Sequence, residues 1–494
     1  MTTEVDGTAL AIFIACFILV TVMGLMAARW KRAGSMAKLD EWGLGGRQFG
    51  TWITWFLVGG DFYTAYTVIA VPALVYAVGA YGFFALPYTI IVYPFVFAVM
   101  PLLWHVAKKN GYVTAADVVH GRYGSRALEL AVATTGVLAT MPYIALQLIG
   151  MAAVFKALGL HGELPLLTAF IVLAVYDYSS GLRGPALIAF VKDTMIYIAV
   201  FAAIALIPGR LGGYAAVFHA ADAAFQAKGA GGLVLAQSQM IPYATLALGS
   251  ALAAFMYPHT LTGVFASASA NTIRKNALLL PAYTIMLGLL ALLGYMAHAA
   301  GLKLSDPNDV VPALFNALFP SWFAGFAFAA IAIGALVPAA VMSIGAANLF
   351  TRNFWKAYVN PDVTPAGEAR VAKLTSLAVK IGALLATIYL PTQFALYLQL
   401  LGGLWILQTF PALVFGLFVD WFTAPALFLG WAAGFLSGTW MAWSDGLKPL
   451  HTIGFGGTKV SLYVGLVALA INVVVAVVVN LAVKSQVAQP QPSR

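Results

Sequence analysis

Three ionisable residues of this 494-residue chain lie in the middle of long apolar stretches: Asp61, Lys192 and Asp193. A charge in the hydrocarbon of a membrane is costly, so such residues face the protein interior and often mark ion or proton pathways. Asp61 follows Gly59 and Gly60, and a glycine stretch that interrupts a helix frees carbonyl oxygens, which can hold a cation beside a carboxylate. The alternative is that Asp61 caps the second half of the interrupted helix.

The neighbours Lys192 and Asp193 raise the question of what each one pairs with. Successive residues of a helix point about 100° apart, so we predict no direct pair between them and a separate partner for each on another helix. Asp61 is the candidate partner of Lys192. A buried lysine is a possible proton carrier, and the alternative is a lysine that extends to the membrane interface. For Lys380, about two turns inside a later apolar stretch, we favour extension to the interface.

The composition excludes a soluble protein. Hydrophobic residues make up 62% of the chain and charged residues 9%, whereas a soluble domain has about 25% charged residues. With 26 Lys and Arg against 17 Asp and Glu the net charge is +9, which in a membrane protein reflects basic cytoplasmic loops. The single cysteine, Cys16, has no partner for an intrachain disulfide.

Apolar windows long enough to cross about 30 Å of hydrocarbon recur along the whole chain. Eighteen basic residues fall on one side of the predicted spans and six on the other. This bias places the N-terminus outside and the C-terminus in the cytoplasm. The thirteen predicted spans are 8–28, 51–79, 82–104, 127–155, 164–178, 184–207, 241–268, 277–300, 324–350, 371–390, 394–419, 424–443 and 460–483.

Helix-breaking residues occupy corresponding places in two of these spans. The second span contains Gly-Gly-Asp at 59–61, and the seventh contains Gly-Ser at 249–250 and Tyr-Pro-His at 257–259. Two interrupted helices five spans apart indicate an inverted-repeat transporter with its substrate site at the interruptions. The alternative is ordinary glycine contacts and proline kinks, which are common in membrane helices.

Five motifs occur in a specific order and spacing along the chain. They are DEWGLGGR at 40–47, GYVTAAD at 111–117, RYG at 122–124, Pro-His at 258–259 and FTRN at 350–353. Together they resemble the motifs of the sodium/solute symporter family. The second span is most similar to the bacterial monocarboxylate permeases of that family, which take up lactate, pyruvate and related acids, and in some cases alanine.

The resemblance implies an all-α integral membrane protein with a LeuT-like five-plus-five inverted repeat. One membrane domain, 1–494, would contain an extra helix at 8–28, repeats at 51–207 and 241–419, and two C-terminal helices at 424–483. It also implies alternating access in a bacterial cytoplasmic membrane. Uptake of a small carboxylate would be coupled to an inward cation gradient, with no organic cofactor, nucleic acid or obligate protein partner.

The expected sodium site departs from the family pattern. The resemblance assigns sodium to backbone oxygens of Gly60 and Tyr63 together with hydroxyls of the ninth span, where Val337 and Pro338 stand here. Neither side chain offers an oxygen; a shifted alignment would bring in Ser343. We therefore favour protons over sodium as the coupling ion, with Lys192 and Asp61 as the titrating pair.

A small carboxylate in mid-membrane requires hydrogen-bond donors, and the N-termini of the two half-helices supply free N–H groups. Glycine and serine at the interruptions would let a ligand approach the backbone, while Phe62 and Phe255 would favour a short substrate with an apolar tail. Tyr143 and Gln147 would bridge helices if they do not contact the substrate. The residues expected at the substrate are Gly59, Thr64, Tyr143, Gln147, Gly249, Ser250 and Phe255.

Other function classes fit less well. Within transport, the alternative is a sodium-coupled symporter for acetate, an amino acid or another small solute. A passive channel would need a filter sequence or charged rings, and a sensor would need a signalling module. An enzyme would need a constellation of catalytic groups, and the sequence contains no metal-ligand cluster, phosphate loop or triad pattern.

Overall fold

The computed structural model describes residues 5–30, 34–60, 63–389, 395–455 and 458–487. Within these ranges the chain is nearly all helical, as the sequence predicts. The exception is a two-stranded antiparallel hairpin near the C-terminus.

The first half of the chain consists of a leading helix, a helix interrupted in its middle, and four long helices with short helices between them. The interrupted helix contains α3, a π-helical turn Trp55–Gly59, a second π-helical turn Tyr66–Ala70, and α4. The helices are α1 (Gly7–Met26), α2 (Leu39–Leu44), α3 (Thr51–Thr54), α4 (Val71–Val78), α5 (Ala85–Asn110), α6 (Ala115–Tyr123), α7 (Arg126–Ala157), α8 (Leu164–Ser180) and α9 (Arg183–Arg210).

The second half repeats this order and adds two helices at the end. Its interrupted helix is α11 followed by α12. The elements are α10 (Tyr214–Lys228), α11 (Met240–Ala254), α12 (Pro258–Ala266), α13 (Ala270–Leu279), α14 (Pro281–Ala299), α15 (Val310–Leu318), α16 (Ser321–Phe350), α17 (Pro365–Tyr389), α18 (Leu396–Ile406), α19 (Gly416–Phe418), α20 (Ala424–Ser444), β1 (Leu450–Phe455), β2 (Thr458–Tyr463) and α21 (Val464–Val487).

The predicted spans coincide with helices, although their number stays a prediction. In the described part of the chain, eight helical stretches are long and apolar enough to cross a membrane, or nine if α11 and α12 count as one span bent by 46°. The last span was predicted to begin at 460, which is wrong: residues 458–463 form β2, and the helix begins at Val464. The helix α10 was not predicted.

Helix α16 runs through the centre of the bundle, with its apolar length buried. It packs against α1, α7, α9, α12 and α17. Small residues allow this close packing; a Cβ on Gly325 would lie 2.2 Å from the carbonyl oxygen of Ala9 in α1. Asp6 caps α1 through its carboxylate, and hydrogen bonding by Ser321 holds the pKa of the Asp6 carboxyl below its usual value.

Two of the motifs named above connect helix ends through the buried side chains of Arg47 and Asn353. In the first, Arg47 donates from Nε to Asp40 at 2.8 Å and from Nη2 to the carbonyl oxygen of Tyr112 at 2.7 Å. In the second, Asn353 Nδ2 donates to Asp117 at 2.7 Å and to Glu129 at 2.9 Å. The motifs that carry the resemblance therefore have structural roles at helix termini.

The hairpin connects the last helix to the second interrupted helix through Tyr463. The backbone N–H of Tyr463 donates to Thr245 Oγ1 of α11 at 3.1 Å. Its hydroxyl donates to the carbonyl oxygen of Leu400 in α18 at 2.7 Å. The ring packs on Gly249, where a Cβ would lie 2.2 Å away. Tyr463 is thus fixed between α11 and α18.

A buried ion pair joins α8 to α17, and it corrects the expectation for Lys380. The ammonium of Lys380 donates to Asp177 and to Ser376 Oγ, and the side chains of the pair are only 2% and 1% exposed. Ser376 Oγ also lies 3.1 Å from Asp177 Oδ2 and 3.1 Å from Ser343 Oγ, and its single proton serves one of these acceptors at a time. Extension of Lys380 to the membrane interface is therefore wrong, because an acid from α8 lies opposite it.

Removing one member of the Asp177–Lys380 pair should destabilise the protein more than removing both. Asp177→Asn or Lys380→Met leaves a buried charge without its partner, which costs about 3–5 kcal/mol, whereas replacing both removes the unpaired charge. We expect each single variant to lower the melting temperature in detergent, and the double variant Asp177→Asn/Lys380→Met to recover most of the loss. Thermal unfolding of the four proteins measures this.

Lys373→Met is the matched control, because Lys373 lies on the same helix, where its ammonium is 5.1 Å from the Tyr178 ring. It should change the melting temperature little. Additive losses in the double variant would contradict the pairing.

Candidate ion-coupling and substrate site

The first interruption lies between the turn Trp55–Gly59 and the turn Tyr66–Ala70, and within it the carbonyl oxygen of Gly60 accepts from the backbone N–H of Tyr63 at 3.1 Å. Asp61 and Phe62 lie outside the described residues, so the roles predicted for them stay predictions. Gly60 and Tyr63 on either side are described, and both are buried.

The ammonium of Lys192 fills this interruption. Lys192 comes from α9 and is completely buried. Its Nζ donates to the carbonyl oxygen of Gly60 at 2.7 Å and to that of Tyr63 at 3.1 Å. These are the two residues whose backbone oxygens were expected to bind sodium. A fixed cation of the protein therefore contacts the oxygens that a sodium ion would need.

Lys192 also pairs with its neighbour, contrary to the prediction. Nζ lies 2.9 Å from Asp193 Oδ1, and neither side chain is exposed. The angular argument failed because it describes the directions of the Cβ atoms, whereas the four-carbon stem of lysine lets its ammonium turn back towards the next residue. The pair brings one positive and one negative charge to the first interruption.

Tyr283 of α14 connects Asp193 to the first half-helix. Its hydroxyl lies 3.0 Å from Asp193 Oδ2 and 3.1 Å from the carbonyl oxygen of Trp55. A phenol has one proton to donate, so it serves one of these acceptors at a time unless Asp193 itself carries a proton. The ring covers Gly59, where a Cβ would lie 2.3 Å away. The Tyr283 ring therefore occupies the space beside Gly59 that was predicted for the substrate.

Among the hydrogen bonds of the described residues, none joins a hydroxyl of α16 to the Lys192 cluster at the carbonyl oxygens of Gly60 and Tyr63. A Cβ on Gly334 would lie 3.8 Å from the carbonyl oxygen of Tyr63, and Val337 and Pro338 follow about one turn later. Ser343 donates to the carbonyl oxygen of Ala340 and accepts from Ser376. Ser343 thus belongs to the Asp177–Lys380 cluster.

The start of the second half-helix is capped by two predicted substrate residues. Thr64 Oγ1 accepts from the backbone N–H of Tyr66, and Gln147 Oε1 of α7 accepts from that of Ala65, both at 3.0 Å. Thr64 and Gln147 therefore satisfy N–H groups that an anion would otherwise bind.

The second interruption lacks a comparable side-chain cap. Tyr257 has an extended backbone, and α12 begins at Pro258 without a side-chain cap. Tyr143 of α7 packs its ring against Tyr257 and His259, with centroids 5.2 and 5.4 Å apart. Phe255, just after α11, is completely buried.

Two buried polar atoms near this interruption lack partners. Ser250 Oγ and His259 Nδ1 have no hydrogen-bond partner among the described residues, although both side chains are 1% exposed. Buried polar atoms are normally hydrogen-bonded, so an unpaired one needs an explanation such as a missing ligand or water. Helix α7 brings the two interruptions together, because Tyr143 and Gln147 lie one turn apart on it.

Sequence reasoning found the charged residues at this site but missed their aromatic partners. Tyr283 lies in the apolar helix α14, where a tyrosine carries no signal of its own. Asp177 was missed because it lies at the end of a short span. The adjacency of Lys192 and Asp193 was the signal that could have revealed their pairing.

Comparison with known proteins agrees with these features. The model of the sodium:solute symporter family matches residues 42–434. A monocarboxylate transport permease protein of Rhizobium johnstonii is 75% identical over 97% of this chain and 98% of its own length. An uncharacterized symporter of Bacillus subtilis, YodF, is 33% identical over 96% of this chain and 94% of its own.

Among solved structures, the substrate-bound outward-open state of a Na+-coupled sialic acid symporter superposes with a TM-score of 0.79. It covers 97% of this chain and 98% of its own, at 15% sequence identity. This likeness confirms the predicted LeuT-like fold, in which the two interrupted helices lead the two repeats. The extent of the family match and the identity of these relatives show that this chain belongs to the sodium:solute symporter family.

Proposed function

We propose that this membrane symporter takes up small monocarboxylates such as lactate and pyruvate, with alanine as a further candidate, coupled to an inward proton gradient. The name of the relative that is 75% identical supports the substrate class. The observation that carries the coupling is the contact of Lys192 Nζ with the carbonyl oxygens of Gly60 and Tyr63.

A tethered ammonium at these oxygens disfavours a sodium ion beside it. Two positive charges about 4 Å apart repel by about 4 kcal/mol at an effective dielectric constant of 20. The ammonium supplies the positive charge, and α16 places Gly334, Val337 and Pro338 on the neighbouring stretch, with no side-chain oxygen among the three. Both features favour a site that has exchanged sodium for a fixed cation.

The same cluster offers a route for the proton. When Asp193 is ionised, it accepts from Tyr283; when it is protonated, it can donate to Tyr283, whose hydroxyl then donates to the carbonyl oxygen of Trp55. Protonation of Asp193 thereby changes a contact to the first half-helix. Lys192 holds the compensating charge, and Asp61, next to Gly60 in the sequence, is a second candidate carrier.

The substrate carboxylate would bind at the second interruption. The uncapped first turn of α12 presents backbone N–H groups at the positive end of a helix dipole. Tyr143, Ser250 and His259 would add polar contacts, and Phe255 apolar bulk. In the proposed orientation the N-terminus is outside a bacterial cytoplasmic membrane and the C-terminus in the cytoplasm, with repeats at 51–207 and 241–419.

The competing proposal is sodium-coupled symport of acetate, an amino acid or another small solute. The Na+ coupling of the sialic acid symporter with the same fold favours it. The first experiment below separates the two coupling ions.

Uptake into proteoliposomes should follow an imposed pH gradient. A gradient of one pH unit, with the acidic side outside, supplies about 1.4 kcal/mol per proton. One proton per substrate molecule can therefore drive about tenfold accumulation of the substrate. We expect labelled lactate to accumulate under this gradient without sodium, and to accumulate little under a sodium gradient with pH and potential clamped. Strong accumulation driven by sodium alone would sink proton coupling.

Variants of the ion cluster should lose coupled uptake. Lys192→Met removes the ammonium from two carbonyl oxygens and leaves the Asp193 carboxylate without its counter-charge. Breaking a buried pair costs about 3–5 kcal/mol, so we expect uptake to fall about 100-fold or more. Tyr283→Phe keeps the ring and removes the hydroxyl, and should weaken the response to the pH gradient. Asp61→Asn tests the other carrier.

Thr194→Val on the exposed face of α9 is the matched control and should transport like the wild type. Membrane expression of every variant is measured in parallel. Wild-type accumulation by well-expressed Lys192→Met would show that the lysine has only a structural role.

Competition among carboxylates should define the substrate. Whole cells that express the protein should accumulate labelled pyruvate above cells with an empty vector, and unlabelled lactate should compete more strongly than a sugar or a long-chain acid, because the site offers few polar groups beside aromatic bulk. If lactate, pyruvate, acetate and alanine all fail to accumulate, the monocarboxylate assignment is wrong.

A further inference from the structure

A cavity of about 300 Å³ lies between α4, α11, α18 and the hairpin. This volume is at the lower end of the range of about 300–1,000 Å³ that is usual for ligand pockets. Its walls are largely aliphatic and aromatic, with Leu74 and Val78 on α4 and Leu246 on α11. It is separate from the Lys192 cluster and from the first turn of α12.

Lys448 is the charged residue among the described residues that line this cavity. It lies just before β1 and is exposed. No ion pair of Lys448 is found in the described part of the chain. The acid nearest to it in sequence, Asp445, is bound by His451 Nδ1 at 2.6 Å. The Lys448 ammonium is therefore available for an anion.

Polar uncharged groups complete the lining. The hydroxyl of Tyr81 is buried and has no hydrogen-bond partner among the described residues. Gln239 and Ser461 also line the cavity. One cation, one unpaired hydroxyl and apolar walls match a small organic anion with a short apolar tail better than a sugar or a cation.

The cavity adjoins the second interruption through α18. Leu400 lines the cavity, and its carbonyl oxygen accepts from Tyr463. The carbonyl oxygen of the preceding residue, Gln399, accepts from the hydroxyl of Tyr257 at 2.9 Å. Successive residues of α18 therefore contact the cavity and a residue of the second interruption.

We propose that this cavity is an outer subsite, where a monocarboxylate binds between Lys448 and Tyr81 before it reaches the second interruption. The inference rests on the proposed function, both for the substrate class and for the orientation that places the hairpin outside. A cation at the mouth raises the local concentration of an anionic substrate, and salt screens that effect.

The test compares the kinetics of uptake by Lys448→Gln with those of Lys459→Gln. Lys459 lies on β2 of the same hairpin and is exposed, but it does not line the cavity. At low ionic strength we expect Lys448→Gln to raise the KM for pyruvate about 2- to 5-fold with kcat nearly unchanged, because an exposed ion pair contributes little and about 1.4 kcal/mol would be needed for a tenfold change. The increase should shrink in about 0.5 M salt.

Two further variants separate a binding site from a general surface charge. Lys448→Arg should retain the wild-type KM, and Tyr81→Phe, which removes only the hydroxyl, should raise it. A wild-type KM in Lys448→Gln would overturn the subsite, and so would an equal increase in Lys459→Gln or no change in Tyr81→Phe. If the wild-type protein itself takes up no monocarboxylate, the proposed function fails and the subsite fails with it.

Discussion

The contact between the Lys192 ammonium and two backbone oxygens is the interaction on which the centre of this protein depends. In hydrocarbon every backbone polar group needs a partner inside the protein, and an interrupted helix leaves several without one. Lys192 satisfies the oxygens of Gly60 and Tyr63. The charge that it brings requires a counter-charge, which Asp193 provides, and Asp193 in turn engages Tyr283.

The same requirement is met differently at the starts of the two inner half-helices. Thr64 and Gln147 cap the first of them with side chains of the protein. The second, α12, begins without such a cap, and buried polar atoms of Ser250 and His259 near it have no partner among the described residues. Side chains of the protein thus cap one interruption and not the other. This asymmetry is the reason for proposing ion coupling at the first and substrate binding at the second.

Much of the fold could be read from the sequence because its signals are local. Apolar windows of membrane length and paired glycine and proline interruptions lie within single spans, and they predicted the helices and their breaks. The Asp177–Lys380 pair joins residues about 200 positions apart, and no pattern within either span indicates its partner. The hairpin was missed because β2 runs directly into α21, so its apolar residues were counted with the helix. At the site, the sequence indicated the charged residues but not Tyr283, whose hydroxyl contacts Asp193.

The position of Tyr463 gives the C-terminal helices a mechanical role. This residue is the last of β2, it directly precedes α21, and it is hydrogen-bonded to both α11 and α18. An outward swing of α11 must therefore either break the bond to Thr245 or pull the hairpin and the first turn of α21 with it. The hairpin and the helices on either side of it, α20 and α21, are therefore coupled through Tyr463 to any movement of α11.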